Sequence, residues 1–151
     1  MNDIRQFRDE YYFLSNFYPC PVTYEGLTYG NAEAAFQAAK CVHEADRKQF
    51  TGLSPSQARS LGRRIRLRKD WEEAKVSVMK EVVTAKFTQN PILQALLLAT
   101  KDACLEEGNT WGDRTWGTVN GVGANLLGQI LMELREEFQQ EELVREDYDR
   151  D

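Results

Sequence analysis

The chain has 151 residues, 42% of them hydrophobic, and a formal net charge of −5 from 19 basic and 24 acidic side chains. A chain of this length buries roughly 68–70% of its unfolded surface in one core, no apolar run approaches the ~18 residues of a membrane span, and the first residues lack a signal-peptide pattern. The expectation is a single cytosolic domain with no membrane partner, and three cysteines (Cys20, Cys41, Cys104) without a CxxC pair read as free, mostly buried thiols rather than a disulfide framework or zinc cluster.

The acidity is concentrated at the end. Residues 136–151 hold eight acids and two bases, which leaves the rest of the chain close to neutral. Residues 1–139 therefore read as the folded domain and 140–151 as an acidic tail expected to be disordered. Phe13–Ser15 reads as a short strand, and Val22–Tyr24 and Leu27–Tyr29 as a hairpin across Glu25-Gly26. Asn31 is placed to cap a helix whose apolar face carries Ala32, Ala35, Phe36, Ala39 and His43. Ser54-Pro55-Ser56-Gln57 supplies a capping box and an N-terminal proline for a short helix ending near Gly62. The run from Arg59 to Lys69 holds six bases and no acid; it suits phosphate, or it is a solvated helix end and following strand. Asp70 starts a long helix to about Phe87 along Trp71, Ala74, Val78, Val82 and Ala85. Asn90-Pro91 starts another, and Asn125–Phe138 a last one along Leu127, Ile130, Leu131, Leu134 and Phe138. The fold class is α+β: mainly helical, with a few short strands.

His43 is the sole histidine, which removes Ser-His-Asp chemistry and histidine-based metal sites; its place on an apolar helix face reads as a buried core position. Proton transfers would fall to carboxylates. Glu33 stands at the edge of the first helix's apolar face, with Gln37 and Lys40 one and two turns on. It is either a helix-dipole acid or a site carboxylate among alanines that allow close approach. The second candidate is Asp113 in GNTWGDRTWG, between Trp111 and Trp116. Indoles would desolvate it and raise its pKa, and their faces suit a heterocyclic ring; a turn acid between core tryptophans is the other reading. The following GTVNGVGANLLG leads into a helix and offers backbone amides to an anion, or glycines for close packing.

The segments FLSNFYPCP, AEAAFQAAK, LGRRIRLRKDWEEAKVSVM, KFTQN, EEGNTWGDRTWG and GANLLGQILMELR, in that order from Phe13 to Arg135, resemble the NADAR family, also called the YbiA-like family. The resemblance implies a compact, mainly helical α+β domain. It also implies metal-independent and cofactor-free hydrolysis of the N-glycosidic bond between a ribose and a heterocyclic base or amine. In one branch the substrates are phosphorylated intermediates of riboflavin synthesis; in another, ADP-ribose is removed from guanine in nucleic acid. The expected partner is thus a small-molecule N-riboside or ADP-ribose conjugate, with nucleic acid entering as an ADP-ribosylated substrate. A module that binds ADP-ribose or a nucleotide without cleaving it is the alternative.

Carried onto this chain, the family's acidic positions fall on Glu33 and Asp113, the candidate catalytic residues. Its Trp-Gly pair falls on Trp116-Gly117, and Asn16, Gln37, Lys40 and Asn125 match polar pocket positions. Arg63 and Trp111 complete the expected binding set, from the basic run and the indole pair. In the expected mechanism Glu33 stabilises a cationic sugar and activates water, and Asp113 serves the leaving group; Lys40 trapping an opened ribose is a secondary route. Where the family commonly has histidine after the helical glutamate, this chain has Ala34.

Overall fold

The computed structural model describes residues 3–150. The mainly helical α+β class expected from the sequence is present. The residues group into two compact units, one of residues 15–91 and one of residues 3–14 with 92–150.

In the unit of residues 15–91, β1 (Pro19–Tyr24) and β2 (Leu27–Asn31) pair antiparallel, with Val22 opposite Tyr29 and Tyr24 opposite Leu27. The turn residues Glu25 and Gly26 both have positive φ, +49° and +84°, the pattern of the two-residue turns whose twist matches a hairpin. β2 runs directly into α1 (Ala32–Ala38). The Asn31 side chain accepts from Ala34 N at 2.7 Å and its Nδ2 donates to Leu53 O, so one side chain both caps α1 and fastens a later loop. Every residue of α1 is buried, which its small side chains permit. The helix stops at Ala38. His43, expected on its apolar face, is exposed at the start of a separate short helix, α2 (Glu44–Arg47). The apolar spacing carries on a helical wheel five residues past Ala38, but the chain turns at Ala39–Cys41, whose amides bond back to carbonyls of α1.

α3 (Pro55–Gly62) has the full capping box of Ser54 and Gln57. The residues after it form turns and irregular backbone, not the strand suggested for the basic run. α4 (Trp71–Gln89) follows. Asp70 precedes it without capping it, since its carboxylate is taken by Arg68 at 2.6 and 2.9 Å. The buried face of α4 carries Val78, Met79, Val82, Val83 and Phe87, and also Lys86 at helical spacing from Met79 and Val82. Trp71 packs on Phe36 of α1 with ring centroids 5.2 Å apart and planes tilted by 54°, a geometry worth about 0.5–1.5 kcal/mol beyond the area it buries.

In the other unit, Phe13 lies in a 3₁₀ turn, Asp9–Leu14, rather than a strand. Residues 4–5 run beside residues 105–108, with Ile4 N donating to Cys104 O and Glu106 N to Ile4 O. α5 (Pro91–Ala99) buries Leu93 and Leu97. α6 (Leu126–Asp149) buries the stripe read from the sequence, Leu127, Ile130, Leu131, Leu134 and Phe138. It continues through residues 140–149, where a disordered tail was expected. Those residues are exposed, and their Glu, Gln, Leu and Arg content sustains a helix without tertiary burial. Cys20 and Cys41 are buried and Cys104 exposed, all as free thiols.

Candidate active site

Glu33 occupies the first turn of α1 and is only 5% exposed. Its main-chain N–H donates to Asn16 O at 3.0 Å, which ties the start of α1 to the Ser15–Phe17 turn. Its Oε1 accepts from Gln37 Nε2 at 3.0 Å and from Arg59 Nε at 3.3 Å. Arg59 in turn lays its guanidinium over the Phe17 ring, 4.7 Å from the centroid. The carboxylate is thus charge-balanced and clamped through one oxygen, while Oε2 accepts no hydrogen bond among the described residues. Arg59 was visible in the sequence only as one member of the basic run. The spacing of Glu33 and Arg59, 26 residues apart on two helices, gave no local signal of their pairing.

Gln37 proves to be a clamp. Its Oε1 is buried, without a hydrogen-bond partner among the described residues, against Gly62 at the end of α3. A Cβ on Gly62 would overlap Gln37 Oε1 and stand 2.8 Å from Cδ, so the absence of a side chain there is what lets α3 close on α1. Asn16 is also buried; Nδ2 reaches Met79 Sδ at 3.3 Å and Oδ1 has no partner among the described residues. Lys40, half-buried just past α1, belongs to the same electrostatic cluster. Burial lowers its pKa, the Glu33 charge pulls it back up, and Arg63 and Arg59 push it down further. Arg63 itself is exposed at the end of α3. Of the expected residues, Asn16, Glu33, Gln37, Lys40 and Arg63 all lie in this unit, and Arg59 joins Glu33, Gln37 and Lys40 into one charged group.

Asp113 is built into a different local structure. Its Oδ1 accepts from the N–H groups of Thr115 and Trp116 at 3.0 and 2.9 Å, the signature of an acid that shapes a turn. Oδ2 takes no hydrogen bond among the described residues. The turn is held from behind by the buried side chain of Asn109, which accepts from Asp113 N and donates to the carbonyls of Asp113 and Thr118. Asn109 gives no signal in the sequence, because an asparagine beside a glycine looks like ordinary loop chemistry. Trp116 is half-buried, whereas Trp111 is 55% exposed. Gly117 packs where a Cβ would overlap the Glu107 carbonyl.

The amides at the start of α6 are not free for an anion. Ala124, Asn125, Leu126 and Leu127 donate to the carbonyls of Arg114, Gly117, Thr115 and Trp116. Asn125, expected in the pocket, instead ties the loop: Nδ2 donates to Leu105 O, and Oδ1 accepts from Glu107 N, both at 3.0 Å. Among the described residues no group of three His, Cys, Asp or Glu side chains is arranged to hold a metal ion, and no helix is long and apolar enough to cross a membrane.

Residues 4–139 match the NADAR domain. The chain is 43% identical to the N-glycosidase YbiA of Shigella boydii over 134 residues, 86% of this chain and 83% of that one. It is 39% identical to a riboflavin biosynthesis protein of Vibrio vulnificus over 132 residues, 85% of this chain and 36% of that one. The solved structure of YbiA from E. coli superposes with a TM-score of 0.82 at 40% identity, covering 95% of this chain and 89% of the other. With its family match spanning all but the ends of the sequence and its fold shared with YbiA, the chain belongs to the NADAR family.

Proposed function

We propose that the chain is an N-glycosidase that hydrolyses the C1′–N bond of a phosphorylated N-riboside, with Glu33 as its central catalytic group. The observation that carries this reading is the buried Glu33 carboxylate, held through Oε1 by Gln37 and Arg59 with Oε2 left unbonded among the described residues. The names of the relatives support the reading: N-glycosidase names the class of bond, and riboflavin biosynthesis protein is consistent with a substrate from that route.

Cleavage of such a bond moves its electron pair onto the departing nitrogen and leaves positive charge on C1′ and the ring oxygen. A fixed carboxylate is stabilising where that charge develops, and costs no reorganisation because its partners already hold it. Oε2 of Glu33 is assigned that role, together with accepting a proton from the water whose oxygen adds to C1′. The leaving nitrogen must gain a proton or a hydrogen bond. Asp113 is assigned to it through Oδ2, the oxygen that the turn does not use, and the exposed Trp111 indole to stacking on the ring. Phosphate is assigned to the arginines around Arg63, since the α6 amides are occupied. Lys40, its pKa lowered by burial, retains a secondary role as an amine able to capture an opened ribose.

The test is product analysis by mass spectrometry with two substrates in parallel, a ribosylamino-pyrimidine phosphate and an oligonucleotide bearing ADP-ribosylated guanine. The reading predicts release of the pyrimidine and ribose phosphate from the first. Release from the oligonucleotide alone would move the substrate to nucleic acid, and tight binding without release from either would favour the binding module.

A further inference from the structure

Lys86 has no part in the site as described so far, yet its side chain is wholly buried on α4. An ammonium removed from water is costly unless it does something its neighbours need. Its Nζ donates to the carbonyl of Ser15 at 2.8 Å and lies 5.0 Å from the Phe87 ring centroid and 5.8 Å from that of Tyr18. One residue beyond that carbonyl is Asn16, whose own carbonyl receives the Glu33 N–H and whose amide reaches Met79, seven residues before Lys86 on the same face of α4. Two residues beyond is Phe17, which supports the Arg59 guanidinium. The Ser15–Phe17 turn therefore stands between α4 on one side and both the main chain and the ion-pair partner of Glu33 on the other.

We infer that Lys86 is a positioning residue for the glycosidase site: by fastening the Ser15 carbonyl it fixes the turn that holds Glu33 and Arg59 in place. It touches no substrate in this account and acts through Asn16 and Phe17. A methionine would pack in the same volume, so simple core filling does not explain a lysine; a donor to a main-chain oxygen does. Burial lowers its pKa to about 8, with the nearby Cys20 on β1 opposing that shift, so the donor loses its charge within an accessible pH range. A charge-assisted hydrogen bond is roughly twice as strong as a neutral one, so the turn should loosen as the proton leaves.

The inference rests on the proposed role of Glu33, but its test does not require turnover. Amide hydrogen exchange is followed at Glu33, which reports the bond to Asn16 O, against Ala39, which reports the end of the same helix. In Lys86→Met the Glu33 amide is expected to exchange at least tenfold faster while Ala39 stays within twofold. In the wild type the ratio of the two rates should rise between pH 7 and 9 with a midpoint near 8. This series decides alone if the variant does not fold. An unchanged ratio, or uniform acceleration throughout residues 15–91, overturns the positioning role. Where the wild type is active, kcat of Lys86→Met should fall about tenfold with KM within twofold; a wild type without turnover counts against the N-glycosidase reading and leaves the exchange result standing.

Discussion

Gly62→Ala separates the clamp on Glu33 from the stability of the fold. The new methyl would occupy the place of Gln37 Oε1 and crowd Cδ, both at the far end of a flexible side chain, so Gln37 can yield by turning away. It then releases its 3.0 Å bond to Glu33 Oε1. A hydrogen bond to a charged group contributes about 1.5–3 kcal/mol, against which alanine for glycine in a helix returns at most about 1 kcal/mol. With that full return the net loss of about 0.5–2 kcal/mol corresponds, at about 2–4 °C per kcal/mol for a chain of this size, to a Tm lowered by roughly 1–8 °C. Activity should suffer more than that modest shift suggests. If the orientation of Glu33 is fully expressed in the transition state, losing the same bond lowers kcat about tenfold or more, since about 1.4 kcal/mol is a factor of ten. Thermal unfolding by circular dichroism and steady-state kinetics on one preparation measure both. A variant with wild-type kcat would show that Gln37 does not orient the catalytic group, and a variant that fails to fold would show that the contact between α1 and α3 cannot yield as described.

Trp111→Ala should leave Tm unchanged, because the ring is 55% exposed. It should raise KM about five- to hundredfold if the indole stacks on the substrate ring, as such stacking is worth about 1–3 kcal/mol per base; an unchanged KM would remove Trp111 from the binding set. Asn109→Ala strips the turn of the acceptor for Asp113 N and of the donor to the carbonyls of Glu107, Asp113 and Thr118, so Tm should fall by several degrees and kcat with it. Full activity would mean that the Asp113 turn holds its shape without this residue. The buried Lys86 makes a prediction about pH. Its folded pKa of about 8 lies below the ordinary 10.5, so between those values the unfolded chain binds more protons and stability rises with pH. The gap corresponds to a gain of about 3 kcal/mol, complete above 10.5 and lost as pH falls through 8. Comparing denaturant midpoints at pH 7.5 and 9.5 in the wild type and in Lys86→Met isolates this contribution, and equal pH slopes for the two would contradict it.

Elements that announce themselves locally were readable in the sequence. The Glu25-Gly26 turn, the Asn31 cap, the Ser54 capping box and the apolar stripe of α6 each depend on a few neighbouring residues whose chemistry admits one dominant structure. The failures share a different cause. The apolar spacing from Ala32 to His43 continued on a helical wheel although the chain turned at Ala39, and Phe13 joined a 3₁₀ turn because one aromatic residue does not define a strand. The acidic end looked disordered by charge, but its composition favours helix once α6 is nucleated by its buried first half. In the site, Glu33 was visible from an acid among alanines. Its clamp was not, because Arg59 and Gly62 are distant in sequence and unremarkable in type. Lys86 was invisible for the opposite reason: sequence patterning assigns a lysine to solvent, and only the packing of α4 on the Ser15 carbonyl reverses that expectation.

The measurement that bears most directly on the central claim is single-turnover hydrolysis of a ribosylamino-pyrimidine phosphate by the wild type and by Glu33→Gln, with folding of the variant verified by its Tm. The amide keeps the shape and an oxygen for Gln37 and Arg59 but removes the charge that would face the developing cation. The rate of the variant should be lower by about 10²–10⁴-fold with substrate binding retained. A Glu33→Gln enzyme that releases pyrimidine at the wild-type rate would contradict that claim.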